Sequence, residues 1–255
     1  MVAKAVAVID LRDQRGRSNP RRELRAGSQS RRIEAVGDRF RLVVDEPFSP
    51  FAETIRSLQI AAELAELGGR KKILGVTSAR PCEGKSLVGS NLTGMLAISG
   101  SKVLLFDCQP RKPELTQQLT PKAKAGLMRA MANPPAVDEL IWRDKSTNLD
   151  FLPMDAPASV RRPIGVVSAS MMQGILAAVQ DRYDYIVVDL PALTPVADVK
   201  AVSNLIDHFL LVIEWGRTSQ SAVLSALDAT PLVYENLLGI VLNNADPAAL
   251  KKLEA

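Results

Sequence analysis

Short, continuously apolar segments alternate along the chain with longer segments whose apolar residues recur at helical spacing. Runs of consecutive aliphatic residues are typical of strands that are buried on both faces of a parallel sheet. The predicted strands are KKILGVTS, SKVLLFDCQP, NLDFLP, YDYIVVDLP, HFLLVIEWG and LLGIVLNN. The alternation therefore predicts an α/β fold, with a mostly parallel sheet and helices on both of its faces.

Helical periodicity is clearest in the segment that begins at residue 49. Ser49 is a favourable N-cap, and Pro50 suits the first helical position. The apolar positions of this helix are Ile55, Leu58, Ala62 and Leu67. The pair Gly68-Gly69 is predicted to end it. Further helices are predicted over residues 85–100, 124–132, 136–142, 168–182 and 219–236, and residues 245–255 are either a short polar helix or a frayed end.

Basic residues are concentrated at the start of the chain. Residues 1–46 contain one lysine and ten arginines against seven acidic residues, a net charge of +4. The whole chain also carries a net charge of +4, so the net charge of residues 47–255 is zero. The Arg-rich composition predicts that residues 1–46 are a disordered tail and that residues 47–255 form the folded domain. The tail either keeps the protein in solution or acts as an arm for anionic lipid or an acidic partner.

Composition excludes several classes of protein. No apolar run reaches the roughly 18 residues of a membrane-spanning helix, and the first apolar stretch is too short for a secretory signal. A cytoplasmic protein is therefore predicted. The two cysteines, Cys82 and Cys108, form no disulfide framework, and the single histidine, His208, argues against histidine-based zinc or acid–base chemistry.

The segment TSARPCEGKSLVGSNL combines a strand end, a loop and the start of a helix. Backbone N–H groups at a helix N-terminus bind phosphate, Lys85 supplies a long cation, and Ser86 supplies an oxygen for Mg²⁺. Gly84 lets the backbone approach a phosphate closely. The Walker A pattern G-x-x-x-x-G-K-[ST] is met except that Ala79 replaces the first glycine. The predicted nucleotide contacts are Pro81, Cys82, Glu83, Gly84, Lys85, Ser86 and Leu87.

Two further predicted strands end in a carboxylate. Asp107 follows the run VLLF, and Asp189 follows the run YIVV. Because the carboxyl ends of parallel strands share one edge of the sheet, both are expected to line the same crevice as the loop. The alternative for each is an ordinary turn residue at a strand end. Together with the loop, they predict a nucleotide site in which Asp189 orients Mg²⁺ or its water.

These motifs together resemble a bacterial tyrosine kinase (BY-kinase) of capsular and exopolysaccharide biosynthesis, a branch of the MinD/ParA-like P-loop group. Residues 47–244 follow the order of that family. The matching segments are PFAETIRSLQIA for its E-x-x-R-x-x-R interface helix, SARPCEGKS for its S-x-x-P-G-E-G-K-[ST] loop, LLFDCQPRKP for its D-x-D-x-R-x-P motif, IVVDLPAL for its D-x-P-P motif and LLGIVLN for its final strand. The family's loop also lacks the first glycine, so Ala79 is consistent with the resemblance.

The resemblance implies a P-loop NTPase fold, ATP and Mg²⁺ as cofactors, and ATP-dependent phosphorylation of protein tyrosine. It implies catalytic roles for Lys85, Asp107 and Asp189, with Lys85 holding the β- and γ-phosphates. Ser86, Asp107 and Asp189 are the implied metal-site residues, and Asp107 is also a candidate for contacting the acceptor hydroxyl.

The resemblance also implies partners. It places Glu53 and Arg56 at an interface between subunits of a homo-oligomer; the alternative is an intramolecular pair on the helix surface. The implied activator is a membrane polysaccharide co-polymerase, which recruits the protein to the inner face of the cell membrane. Membrane contact is then indirect or made through the Arg-rich tail, and nucleic acid is not an expected partner.

The sequence departs from the family pattern at several positions. Cys82 replaces a loop glycine, Gln109 replaces the second aspartate of D-x-D, and Gln59 replaces the last arginine of the interface helix. Arg80 stands where MinD/ParA proteins have a signature lysine, and we expect it to be solvated. The family's tyrosine-rich tail is missing, and the tyrosines present are Tyr183, Tyr185 and Tyr234, of which the first two are expected to pack in the core.

These departures keep three functions open. The first is a kinase-like regulator of polysaccharide polymerisation and export. The second is a catalytically impaired, nucleotide-dependent switch in the same pathway, because a carboxamide at Gln109 neither accepts a proton nor carries charge to a metal. The third is a MinD/ParA-like positioning ATPase, which the missing signature lysine argues against.

Overall fold

The structure is a computed structural model that describes residues 5–8, 31–34, 38–65, 72–155, 168–194 and 198–246. These residues form an eight-stranded sheet with the strand order β1-β8-β7-β2-β6-β3-β5-β4. The strands are β1 (Ala5–Val8), β2 (Lys72–Ser78), β3 (Val103–Asp107), β4 (Trp142–Arg143), β5 (Leu149–Leu152), β6 (Tyr185–Asp189), β7 (His208–Glu214) and β8 (Leu237–Asn243). Every neighbouring pair is parallel except β4 and β5, which confirms the predicted mostly parallel sheet.

Helices connect the strands. They are α1 (Leu42–Asp45), α2 (Pro50–Leu64), α3 (Lys85–Ile98), α4 (Glu114–Leu119), α5 (Leu127–Ala132), α6 (Ala169–Val179), α7 (Asp198–Val202), α8 (Gln220–Asp228) and α9 (Pro231–Glu235). The predicted cap of α2 is confirmed, since the Ser49 hydroxyl accepts the Ala52 N–H at 3.1 Å. Within the described part of the chain, no helix has the length and apolar character needed to cross a membrane.

Two apolar cores lie on opposite faces of the sheet. Along β3, Leu104 and Phe106 belong to one core, whereas Val103 and Leu105 belong to the other. This alternation explains why the strand is apolar at successive positions rather than at every second one. The predicted apolar positions of α2 that the structure describes, Ile55, Leu58 and Ala62, are fully buried in the second core; Leu67 and the glycine pair lie outside the described residues.

Several helix boundaries differ from the prediction. The segment predicted as a helix over 136–142 is a 3₁₀ helix over Pro134–Glu139 followed by β4. The helix predicted over 219–236 is divided into α8 and α9, because Pro231 lacks an N–H donor and disfavours helical geometry at the residue before it. The helices α4 and α7 were not predicted, because six and five residues are too few to show a periodic pattern.

The predicted domain boundary after residue 46 is wrong. Residues 5–8 form β1, which pairs in parallel with β8, and α1 lies against α3 with Leu42 and Val43 buried. The Val43 N–H donates to the Asn91 side chain at 3.1 Å, which fixes α1 to α3. The prediction from charge overlooked the short apolar run at 42–44 that this packing buries. Most of the Arg-rich stretch lies outside the described residues, so its predicted disorder stays a prediction.

Candidate functional site

Two carboxylates stand side by side at the carboxyl edge of the sheet. Asp107 and Asp189 are the last residues of β3 and β6 and are direct partners in the strand register. On its other side β6 pairs with β2, where Val76 is the partner of Asp189. The loop that follows β2 therefore meets both carboxylates at the edge where open α/β sheets bind their ligands.

The loop between β2 and α3 depends on a glycine immediately before the helix. Gly84 is the N-cap of α3 and has a φ angle of 89°, in the left-handed region that favours glycine. A Cβ atom at this position would also collide with the side-chain amide nitrogen of Asn243. That amide donates to the Glu83 carbonyl at 2.9 Å, so the same close approach holds the loop in place.

Cys82 is held in the left-handed region as well. Its φ angle is 67°, and its side chain is exposed. A non-glycine residue in this conformation costs about 1 kcal/mol or more. The resemblance expects glycine at position 82. The backbone there keeps the conformation that suits glycine, and the cysteine side chain is strained in it.

Glu83 braces the loop with its side chain. It is buried, and its carboxylate accepts the Arg80 N–H at 2.6 Å, the Glu214 N–H at 3.2 Å and the Thr218 hydroxyl. The Glu83 side chain thus ties the loop to the end of β7, and the Leu87 side chain packs in the second core. The nucleotide contacts predicted at these two residues stay predictions, which their backbone N–H groups would make.

A cavity of about 230 Å³ lies at the N-terminus of α3. Its lining residues are Pro81, Cys82, Gly84, Lys85, Ser86, Gln109, Pro110, Arg111, Lys112, Glu114, Pro191, Ala192 and Asp198. Three lining side chains are basic, which suits a polyanion such as a nucleotide phosphate. Sequence reasoning assigned no role to Arg111 and Lys112, although they follow Asp107 within the same motif.

Gln109 lies at the centre of a buried polar cluster. Lys85 Nζ donates to Gln109 Oε1 at 2.5 Å. Gln109 Nε2 donates to Ser86 Oγ at 2.8 Å and to Asp189 Oδ2. A single neutral amide therefore joins the lysine, the serine and one of the two aspartates that the sequence assigns to phosphate and metal.

Asp107 is occupied by contacts with the protein. One carboxylate oxygen accepts the Gln109 N–H at 3.0 Å, and the other accepts the Thr116 N–H at 2.9 Å and the Thr116 hydroxyl at 2.8 Å. Burial, followed by the nearby charge of Asp189, raises the pKa of Asp107 to about 7. Both oxygens therefore fix the loop from 109 to 116, and the direct contact of Asp107 with metal or acceptor stays a prediction. No sequence signal marked Thr116.

Asp189 retains an oxygen that faces no partner. Its side chain is fully buried, and Oδ1 has no hydrogen-bond partner among the described residues. Burial raises the pKa of Asp189, although Lys85, Ser86 and Gln109 act in the opposite direction. Burying a polar atom without a partner costs free energy, and a hard cation would be a suitable partner for this oxygen.

Ser86 and Asp189 fit a magnesium ion. A hydroxyl and a carboxylate are the ligand types that Mg²⁺ takes from a protein, while phosphate and water complete its shell. The described residues contain no group of three or more His, Cys, Asp or Glu side chains suited to a metal. The donor set therefore fits an ion that arrives with a nucleotide better than a permanently bound one.

Glu53 and Arg56 form an ion pair with each other on the exposed face of α2, with 3.4 Å between Arg56 Nε and a Glu53 carboxylate oxygen. This is the intramolecular alternative, and their role between subunits stays a prediction. Gln59 is buried instead and donates to the Glu63 carboxylate at 2.7 Å. Arg80 is exposed, as expected.

The tyrosines divide as expected into packing and exposed residues. Tyr183 is buried and donates its hydroxyl to Asp150 at 2.7 Å, and Tyr185 is part of the second core. Tyr234 is exposed on α9, which precedes β8 and so lies at the opposite edge of the sheet from the cavity.

Comparison with known proteins supports the resemblance. A family profile described as an AAA domain matches residues 71–227. The succinoglycan biosynthesis transport protein ExoP of Rhizobium meliloti is 38% identical over 233 residues, which cover 89% of this chain and 30% of the relative. The tyrosine-protein kinase YwqD of Bacillus subtilis is 28% identical over 202 residues, which cover 79% of this chain and 84% of the relative. The chain thus spans less than a third of ExoP but most of YwqD.

Solved structures show the same relationship. The kinase domain of the Escherichia coli tyrosine kinase ETK superposes with a TM-score of 0.77 at 25% identity, covering 95% of this chain and 91% of that one. MinD in the MinC:MinD complex of Aquifex aeolicus shares the fold, with a TM-score of 0.57 at 20% identity over 71% of this chain and 72% of that one. The predicted P-loop NTPase fold and the similarity to BY-kinases are confirmed.

Proposed function

Because the chain belongs to the family of AAA domains, we propose that it binds ATP with Mg²⁺ in this crevice and transfers the terminal phosphoryl group to protein tyrosine. One observation carries the proposal: the Lys85 ammonium, the Ser86 hydroxyl and the Asp189 carboxylate lie in one buried cluster at the N-terminus of α3. A cation, a hydroxyl and a carboxylate at the start of a helix are the groups that phosphoryl transfer requires.

Each side chain has a distinct role in this proposal. Lys85 holds the β- and γ-phosphates, and the backbone N–H groups of the loop and of the first turn of α3 bind the same oxygens. Ser86 and Asp189 would hold Mg²⁺, which would neutralise charge on the phosphates when bound. Asp107 is a positioning residue, because its carboxylate anchors the loop that carries Gln109.

The polysaccharide pathway is proposed from the relatives. ExoP is named for succinoglycan biosynthesis and transport, and YwqD is named as a tyrosine-protein kinase. We infer that this chain regulates exopolysaccharide or capsule polymerisation and export, with a membrane co-polymerase as its partner. It acts at the inner face of the cell membrane, either through that partner or through its Arg-rich N-terminal residues. Loss of secreted polysaccharide in a deletion strain, restored by the wild-type gene and not by Lys85→Met, is the expected genetic result.

Nucleotide binding is tested first. Lys85→Met removes the cation of the buried cluster, and a charge-assisted contact to phosphate accounts for a roughly tenfold to hundredfold difference in affinity. The matched control is Lys102→Met, because Lys102 is exposed and precedes β3 at the opposite edge of the sheet. Calorimetric titration with ATP and Mg²⁺ should show weakened binding in Lys85→Met alone. Equal affinities in the two variants would contradict the assignment of the site.

A nucleotide-dependent switch is the second candidate. Gln109 favours it, because a neutral amide stands where a carboxylate is expected to support phosphoryl transfer. The two candidates differ in the transfer of labelled phosphate from ATP to a tyrosine-rich peptide. A kinase weakened by Gln109 transfers phosphate slowly and gains about 10²-fold when Gln109→Asp restores the acidic group. A switch binds ATP normally and transfers none with either residue.

A further inference from the structure

The orientation of the Gln109 amide is determined by its neighbours. An ammonium group only donates hydrogen bonds and a carboxylate only accepts them, so Oε1 must face Lys85 and Nε2 must face Asp189. Ser86 accepts a second bond from the same nitrogen at 2.8 Å. All polar atoms of the Gln109 side chain are therefore engaged, and the side chain is almost completely buried.

The amide bridges the same groups that Mg²⁺ and phosphate require. Nε2 donates to both Ser86 Oγ and Asp189 Oδ2. Asp189 Oδ1 is free of hydrogen bonds from the described part of the chain, but Ser86 Oγ also accepts from Lys85 Nζ at 3.3 Å. Both acceptor positions of the serine oxygen are therefore taken, and a metal reaches Ser86 only by displacing one of these donors. Oε1 engages Lys85, which is assigned to the phosphates. We propose that Gln109 is an internal competitor of Mg²⁺: its amide holds Ser86 and Asp189 together, and the incoming metal must displace it. This inference rests on the proposed nucleotide site and adds its dependence on metal.

A neutral amide suits this set of contacts. A carboxylate at 109 accepts from Lys85 but places a second negative charge against Asp189, which disfavours the bridge unless a cation lies between them. An apolar side chain makes none of the contacts. Because Gln109 carries both a donor and an acceptor, it links the lysine and the aspartate without adding charge to the buried cluster.

The Gln109 side chain can leave the bridge while its backbone stays in place. The Gln109 N–H is fixed to Asp107 at 3.0 Å, so the backbone position does not depend on the side-chain contacts. The side chain itself lines the cavity, which gives it a space to enter. Displacement is therefore a rotation of one side chain rather than a movement of the loop.

The competition predicts a specific pattern of affinities. ADP without metal needs the Lys85 ammonium and the backbone N–H groups of the loop, whereas ADP with Mg²⁺ also needs Ser86 and Asp189. Removal of the amide should therefore strengthen binding of the metal complex more than binding of free ADP. We expect the ratio of the two affinities to rise by about tenfold, since the hydrogen bonds from the amide to Ser86 and Asp189 no longer oppose the metal, whereas loss of the bond to Lys85 affects both forms of ADP.

The experiment compares ADP binding with Mg²⁺ and with EDTA on the full chain. Gln109→Ala removes the side chain, and Gln109→Met keeps its length without a donor or acceptor. If Gln109 merely fills space, the methionine variant behaves like the wild type; if its hydrogen bonds compete with metal, both variants show the raised ratio. Gln117→Ala is the matched control, because Gln117 is exposed on α4. An unchanged or lowered ratio in both variants overturns the proposal.

A second measurement separates this proposal from the proposed function. Titration with Mn²⁺ alone, followed by electron paramagnetic resonance, reports metal affinity without nucleotide. Tighter Mn²⁺ binding in both Gln109→Ala and Gln109→Met supports the competition, even if no form of the chain binds ADP and the nucleotide site itself fails. Mn²⁺ affinity that is equal to or weaker than that of the wild type, in variants that unfold at the normal temperature, shows that Gln109 does not compete with metal.

Discussion

The raised pKa of Asp107 predicts an unusual dependence of stability on pH. In the native state burial, together with the neighbouring Asp189 charge, raises the pKa of this carboxyl group from 3.8 to about 7. The native protein therefore holds the proton more tightly than the unfolded chain does. The stability that this proton contributes is fully present below about pH 4, and it is lost as the pH rises through about 7.

The size of the effect follows from the two pKa values. One pKa unit corresponds to about 1.4 kcal/mol, so the change from 3.8 to about 7 corresponds to at most about 4 kcal/mol in the free energy of unfolding. Between those values the slope approaches about −1.4 kcal/mol per pH unit from this group alone. Asp189→Asn should narrow the pH range over which this slope applies without abolishing it, because burial is the larger cause of the shift.

The measurement is urea unfolding between pH 5 and pH 8 in the absence of Mg²⁺. Asp107→Asn cannot titrate, so its stability should fall less with rising pH than that of the wild type. The variant also turns an amide N–H₂ toward the donors of Thr116 or Gln109, which lowers its free energy of unfolding at every pH. The comparison therefore uses the slope of the free energy of unfolding against pH and not its absolute value. Asp228→Asn, an exposed change on α8, is the control. Parallel curves for the wild type and Asp107→Asn would refute the argument.

Further predictions concern the loop and the helix surface. Cys82→Gly relieves the left-handed strain and should raise the free energy of unfolding by up to about 1 kcal/mol, whereas Cys82→Val should lower it; a lower urea midpoint for the glycine variant would contradict this. Glu83→Ala leaves the partly buried N–H donors of Arg80 and Glu214 unpaired, so it should lower the free energy of unfolding by about 2–4 kcal/mol and weaken ATP binding. Glu235→Ala, an exposed change, should alter neither quantity in the same titrations. Arg56→Ala should reduce ATP-dependent self-association in light scattering if the predicted subunit interface exists, and a mass independent of both ATP and this change would exclude it.

Local and periodic features could be predicted from the sequence. The aliphatic runs predicted six of the strands, because burial on both faces of a parallel sheet requires continuous apolar side chains. The cap at Ser49 and the loop around Gly84 were predictable as well, because the residues that form them are close together in the chain. Placing Asp107 and Asp189 at one edge needed only the rule that parallel strands end on the same side.

Contacts between distant segments were decided by the tertiary structure. The sequence contained no sign that Glu83 reaches the end of β7, 131 residues away, or that Thr116 donates two hydrogen bonds to Asp107. The inclusion of residues 5–8 and 42–43 in the folded unit depended on β8 and α3 as partners.

The role of Gln109 shows most directly how the information in the sequence differs from that in the tertiary structure. As a residue type, it indicated only a lost carboxylate. Its contacts with Lys85 and Asp189, 24 and 80 residues away, turn that loss into a bridge across the predicted metal site. A side chain's hydrogen-bond partners are set by which backbone segments the fold brings within about 3 Å, and sequence spacing carries no information about that distance.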